Sequence, residues 1–122
     1  MNRQEGFGLI EVIVSMLILA IIAVALLPAL WQGIMLSSQQ SSTATATRHL
    51  NALVEEARDL HSCAGLASVA SSRAVTDGKG STLTSTGTVG TCASATTVSL
   101  DLQVADSSGD VLATTKALIY IP

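Results

Sequence analysis

The chain has 122 residues, a net charge of −3 and two cysteines. That length bounds it to one domain with an appendage, and the charge argues against nucleic acid as a direct ligand, because a phosphate-binding surface needs clustered Lys and Arg. Beyond Trp31 the one aromatic residue is Tyr120, so the C-terminal part holds too little apolar bulk for a robust core of its own and is expected to pack on the helix before it.

Met1 to Gly6 is a short, charged, polar leader. Phe7 to Leu36 is apolar, and Glu11 is its only ionisable residue. A carboxylate in hydrocarbon costs about 2.5–3.5 kcal/mol on insertion scales, so Glu11 needs a partner or a purpose. A plain membrane anchor gains nothing from it; a subunit that pairs this charge with another chain does. Val12 to Trp31 is an uncharged run interrupted only by Ser15 and Pro28, long enough to cross the roughly 30 Å of a bilayer core as a helix. It exceeds the apolar core of a secretory signal, and Ala29-Leu30-Trp31 puts bulk where a signal peptidase needs a small residue. The segment is therefore read as retained. Trp31 suits the membrane–water interface. Ser15 can return its hydroxyl to the preceding turn, and Pro28 is expected to kink or loosen the helix.

Arg3 and the amino terminus precede the run and Arg48 follows it, which favours a cytoplasmic N-terminus. Residues 37–65 read as the amphipathic continuation of the helix. Ser37 to Thr47 is polar helix or a loosened stretch, and Leu50, Leu53, Val54, Ala57 and Leu60 then recur at three- and four-residue spacing. Gly65 is the candidate C-terminal cap. Ser68 to Ser81 reads as loop, and Thr82 to Val89 as a weak strand. Val98, Leu100, Leu102 and Val104 alternate with polar residues as a half-buried strand. Asp106 to Asp110 is turn-rich, and Val111 to Ile121 is a second β run that completes an antiparallel hairpin. Cys63 and Cys92 both lie downstream of the apolar run. On an extracytoplasmic side they are expected to form a disulfide worth roughly 3.5 kcal/mol; the alternative is two unpaired small apolar residues.

The expected fold is α+β. A long N-terminal α-helix, membrane-spanning in its N-terminal half and amphipathic in its C-terminal half, packs on a small antiparallel β-sheet head. The organisation is 1–6 leader, 7–36 apolar helix, 37–65 amphipathic helix and 66–122 β-rich head. No catalytic, metal or cofactor constellation stands out. His49 and His61 lack the spacing of a helical metal pair and read as solvated, as do Glu55, Glu56 and Asp59. Asp106 to Asp110 lacks the charge count and bidentate glutamate of a calcium loop, so a turn is preferred. Cys63 has no neighbouring base to make it a nucleophile, and Gly78 and Gly80 precede no helix that would cradle a phosphate.

Gly6-Phe7-Gly8-Leu9-Ile10-Glu11-Val12-Ile13-Val14 resembles the class III signal of type IV pilins and the pseudopilins of type II secretion. The resemblance implies cleavage by a prepilin peptidase between Gly6 and Phe7, N-methylation of Phe7, and an assembly role for Glu11, whose carboxylate would meet the Phe7 amine of its own or a neighbouring chain. Pro28 falls where many pilins carry a helix-breaking proline. The chain departs from the family pattern at Gly8, where Thr or Ser is most common, and in a leader with Glu5 before Gly6 and Arg3 as its one base.

The resemblance further implies other pilin or pseudopilin subunits, the prepilin peptidase, an assembly platform and the membrane as partners. The chain would be single-pass in the cytoplasmic (inner) membrane, with an extracytoplasmic head, and on the cell surface once assembled. The small head suits a minor pilin, and Glu11 places it below the filament tip. Pilus, secretion and DNA-uptake systems share this motif. The alternative is a lone membrane-anchored extracytoplasmic surface domain; an enzyme has no side chains to support it.

Overall fold

The computed structural model describes residues 6–122, so of the expected leader only Gly6 falls among the described residues. The chain divides into two compact units, Met1–Ser37 and Ser38–Pro122. Helix α1 (Leu9–Leu60) contributes to both. The architecture is a long N-terminal helix and a small four-stranded antiparallel sheet, the α+β class read from the sequence.

In the first unit α1 begins at Leu9 and continues through Pro28 as α-helix. Ser15 Oγ donates to Glu11 O at 2.7 Å, which satisfies the hydroxyl within the helix. Among the described residues, nothing in this unit buries the helix. Every large apolar residue from Phe7 to Leu36 is at least 46% exposed.

The second unit is a helical layer on one face of a sheet. Its elements are the remainder of α1, α2 (Cys63–Ala70), β1 (Arg73–Thr76), β2 (Thr82–Val89), β3 (Thr96–Ala105) and β4 (Val111–Ile121), with the strands in the order β1-β2-β3-β4. Period-two alternation gives β3 and β4 their facing: Val98 pairs with Ile119 and Leu100 with Ala117, all four buried. Against them lie Ala46, Leu50, Leu53, Val54 and Ala57 of α1 and Leu66 and Val69 of α2. The other face of β2 presents Thr82, Thr84, Thr86 and Thr88, a row of β-branched residues suited to an open sheet surface.

Three expectations need correction here. The helix does not run to 65. It stops at Leu60, where His61 turns the chain with φ +26° and donates its amide to Ala57 O at 3.0 Å. Leu60 is 44% exposed, so the buried stripe ends at Ala57. Gly65 is no cap. It lies inside α2, whose N-cap is Ser62, and a Cβ on it would come within 2.6 Å of Leu60 Cβ. Ser68 to Ser81, expected as loop, holds the end of α2 and all of β1.

The β1–β2 and β3–β4 hairpins turn by the same device. Asp77 and Asp106 each accept at Oδ1 from the amides two and four residues on: Lys79 and Ser81 at 2.9 and 2.8 Å, Ser108 and Asp110 at 2.9 and 3.1 Å. Each turn has glycine at its fourth position with positive φ, Gly80 at +83° and Gly109 at +93°, where a side chain would be strained.

Candidate functional site

The chemistry implied by the sequence gathers at the start of the first unit. Gly6, Phe7 and Gly8 precede the helix and are exposed, Phe7 by 82%. The first helical bonds run from Glu11 N and Val12 N to Gly8 O, at 3.1 and 3.2 Å. Gly8 is thus the N-cap and Glu11 the third helical residue, an acid in the first turn where the helix dipole favours a negative charge. Glu11 is exposed on an apolar surface. Pro28 is likewise exposed, within a helix long and apolar enough to cross a membrane.

Cys63 and Cys92 belong to the second unit, where they form a disulfide with Cα atoms 5.9 Å apart. It ties the first residue of α2 to the segment after β2. Arg73 of β1 grips the same region. Its guanidinium forks onto Glu56 of α1 at 2.7 and 3.0 Å and also donates to Ser68 O of α2 at 3.2 Å. This hydrogen-bonded guanidinium holds the Glu56 carboxyl below the usual carboxylate range. Both partners are partly open to water, at 31% and 41% exposure, so screening keeps the pair's contribution modest.

Two polar groups of the head are drawn in from solvent, Asp77 fully and His49 in part. Asp77 has no exposed side-chain area. Ser42 Oγ of α1 donates to its Oδ2 at 2.8 Å, and two turn amides fill Oδ1. Ser42 first, then the amides of Ser81 and Lys79 and the Lys79 ammonium at 4.0 Å, lower its pKa against the opposing effect of burial. His49, expected on a solvated face, is half-buried, with Nε2 3.1 Å from Ser85 Oγ. Ser85 Oγ donates onward to Arg73 O at 3.2 Å, so the imidazole is the donor to Ser85. His61 is exposed as expected. These groups join elements of the head, and Ser42 and Asp77 also line a hollow of about 400 Å³ with Lys79, Asp106 and Asp110. Among the described residues no cluster of three His, Cys, Asp or Glu side chains could hold a metal ion.

Asp106 to Asp110 forms a turn. The outer sheet face has a shallow open hollow of about 580 Å³ lined by Thr86, Thr88, Asp101, Gln103, Thr114 and Lys116. Asp101 and Lys116 pair across it at 3.5 Å.

Residues 1–27 match the family described as the prokaryotic N-terminal methylation motif, the class III signal of type IV pilins and pseudopilins. The match spans Gly6, Phe7 and Glu11 and ends just before Pro28. No curated protein and no solved structure matches the chain. The motif supports a pilin- or pseudopilin-type precursor.

Proposed function

We propose that this chain is a structural subunit of a type IV pilus or related pseudopilus, synthesised as a membrane-anchored precursor. The observation that carries the reading is the methylation motif at the head of a helix whose apolar residues from Phe7 to Leu36 are all open. A soluble monomer does not leave such a surface in water. A bilayer covers it before assembly, and the helices of neighbouring subunits cover it afterwards.

In this reading 1–6 is the leader, 7–36 the membrane and filament-core helix, and 37–122 the remainder of α1 with an extracytoplasmic head. Prepilin peptidase cuts between Gly6 and Phe7, the new Phe7 amine is methylated, and the chain enters a filament through the assembly platform. Glu11 supplies the partner for that amine. Pairing offsets the desolvation of both charges, whereas either one alone in an apolar bundle is costly. Pro28 gives the core helix a position without an amide donor, where it can bend against its neighbours. The disulfide fits a head folded in an oxidising compartment.

The test is the mass of the chain recovered from sheared surface filaments. A mature subunit beginning at N-methylated Phe7 supports the reading. Filament subunits that still carry Met1, or a chain that stays in the membrane fraction and never enters filaments, refute it.

A further inference from the structure

We infer that Gly8 is a positioning residue for processing: as the N-cap of α1 it holds the Gly6–Phe7 peptide bond outside the helix, where a peptidase can reach it. This rests on the cleavage reading above. Hydrolysis adds water across that bond, leaving a carboxylate on Gly6 and the free amine of Phe7. The attacking water must approach the carbonyl carbon of Gly6. In an α-helix that carbonyl lies along the axis, engaged by the amide four residues on and flanked by side chains. A bond inside the helix must be unwound before it can be cut.

The structure places the boundary two residues beyond the bond. Leu9 is the first helical residue, and Gly8 O is the acceptor of the first helical bonds. Gly6 and Phe7 are non-helical and exposed. Two residues fix this start together. Gly8 belongs to the small set favoured at an N-cap, and Glu11, three residues on, is an acid in the first turn, where the helix dipole favours it. Alanine at position 8 would be among the best helix formers and the worst caps. It would move the start toward Gly6 and draw the scissile bond into the first turn. Space is not an issue: the nearest atom to a Cβ on Gly8 is Ile10 Cγ2 at 3.9 Å, and φ there is not positive. Substitutions at Gly8 therefore report on capping rather than on a clash within the chain. The same logic covers the departure from Thr or Ser at this position, since all three residues are N-cap formers.

The experiment is cleavage of the full-length precursor by purified prepilin peptidase in detergent, with intact mass giving both the site and the initial rate. Wild type, Gly8→Ala, Gly8→Ser and Gly8→Asn are compared, and the Cα chemical shifts of Gly6 and Phe7 report the helix start in each. Gly8→Ala should be cut about fivefold more slowly, with helical shifts extending to Phe7, from the usual cap preference. Gly8→Ser and Gly8→Asn should stay within about twofold of wild type for the same reason. Asn is larger than Ala, so rates that fall with side-chain size would mean direct recognition by the peptidase and overturn the inference. So would Gly8→Ala cut as fast as wild type. Wild type left uncut at Gly6–Phe7 sinks the processing reading itself, and this inference with it.

Discussion

Ser42 Oγ lies 2.8 Å from Asp77 Oδ2, and both side chains are buried. Ser42 sits on α1 and Asp77 directly after β1, so this bond, with the one Lys79 Nζ donates to Ser38 Oγ at 3.1 Å, ties the helix to the first hairpin turn. The neighbouring threonines spend their hydroxyls differently. Thr43, Thr45 and Thr47 each donate to the carbonyl four residues back, and Ser42 is the one that reaches out to the sheet.

Asp77 should make head stability depend on acid. Its folded pKa is lowered, so the carboxylate's contribution is fully present above the unfolded value of about 3.9. It is lost as pH falls through the lower folded value. Thermal melting of wild type and Asp77→Asn across a pH series checks this. Wild type should be the more stable at neutral pH, and the gap should close as the solution becomes more acidic than about pH 4. A gap that persists unchanged in acid would mean that the ionised form is not what matters.

Gly87→Ala should destabilise the head by packing alone. Gly87 faces the helical layer, and a Cβ there would sit 2.5 Å from Leu102 Cδ2, 2.9 Å from Asp101 O and 3.3 Å from Ala70 Cα. Two of those neighbours are backbone atoms that cannot swing aside. The expected loss is about 1–3 kcal/mol, the usual range for overpacking. Urea unfolding measures it, and a midpoint equal to wild type would show that α2 can move off β2 at little cost.

Cys92→Ser should cost roughly 2–5 kcal/mol, as removal of a native disulfide does in small domains. The effect should concentrate in α2, which is too short to be stable alone and begins at Cys63. Amide exchange should quicken in Cys63–Ala70 before it quickens in β3 and β4. Uniform acceleration across the head would mean that the bridge supports the whole fold rather than this helix.

Glu11→Val should separate assembly from folding. Glu11 belongs to the unit Met1–Ser37, and the buried core lies in Ser38–Pro122. Head melting should match wild type, while the fraction recovered in sheared filaments drops. Normal incorporation of Glu11→Val beside wild-type subunits would show that the charge pair is dispensable.

Periodicity made the larger elements readable. Val98, Leu100, Leu102 and Val104 announce β3, and the spacing of Leu50, Leu53, Val54 and Ala57 announces the buried stripe of α1. The motif around Gly6, Phe7 and Glu11 was legible because it is local in sequence. What escaped was short or long-range. β1 has four residues, too few for alternation to register. α2 follows a break at His61 that no glycine or proline announces, and the glycine inside α2 imitated a helix end. Asp77 looked like any turn aspartate, because the serine that buries it lies 35 positions earlier. The repeated Asp-x-x-Gly pattern at 77 and 106 was available in the sequence and points to the β1–β2 and β3–β4 turns.

The strand order β1-β2-β3-β4 follows the chain order, and this bears on how quickly the head can form. Every strand pairs with its neighbour in sequence, so each hairpin closes over a short loop and no early strand waits for a distant partner. Strand pairing of this kind is local in sequence, and local pairings favour faster folding. A head of this kind can begin to organise as soon as its hairpins are free to pair. Side-chain links reach further along the chain than these turns do, Ser42 to Asp77 over 35 residues and Cys63 to Cys92 over 29.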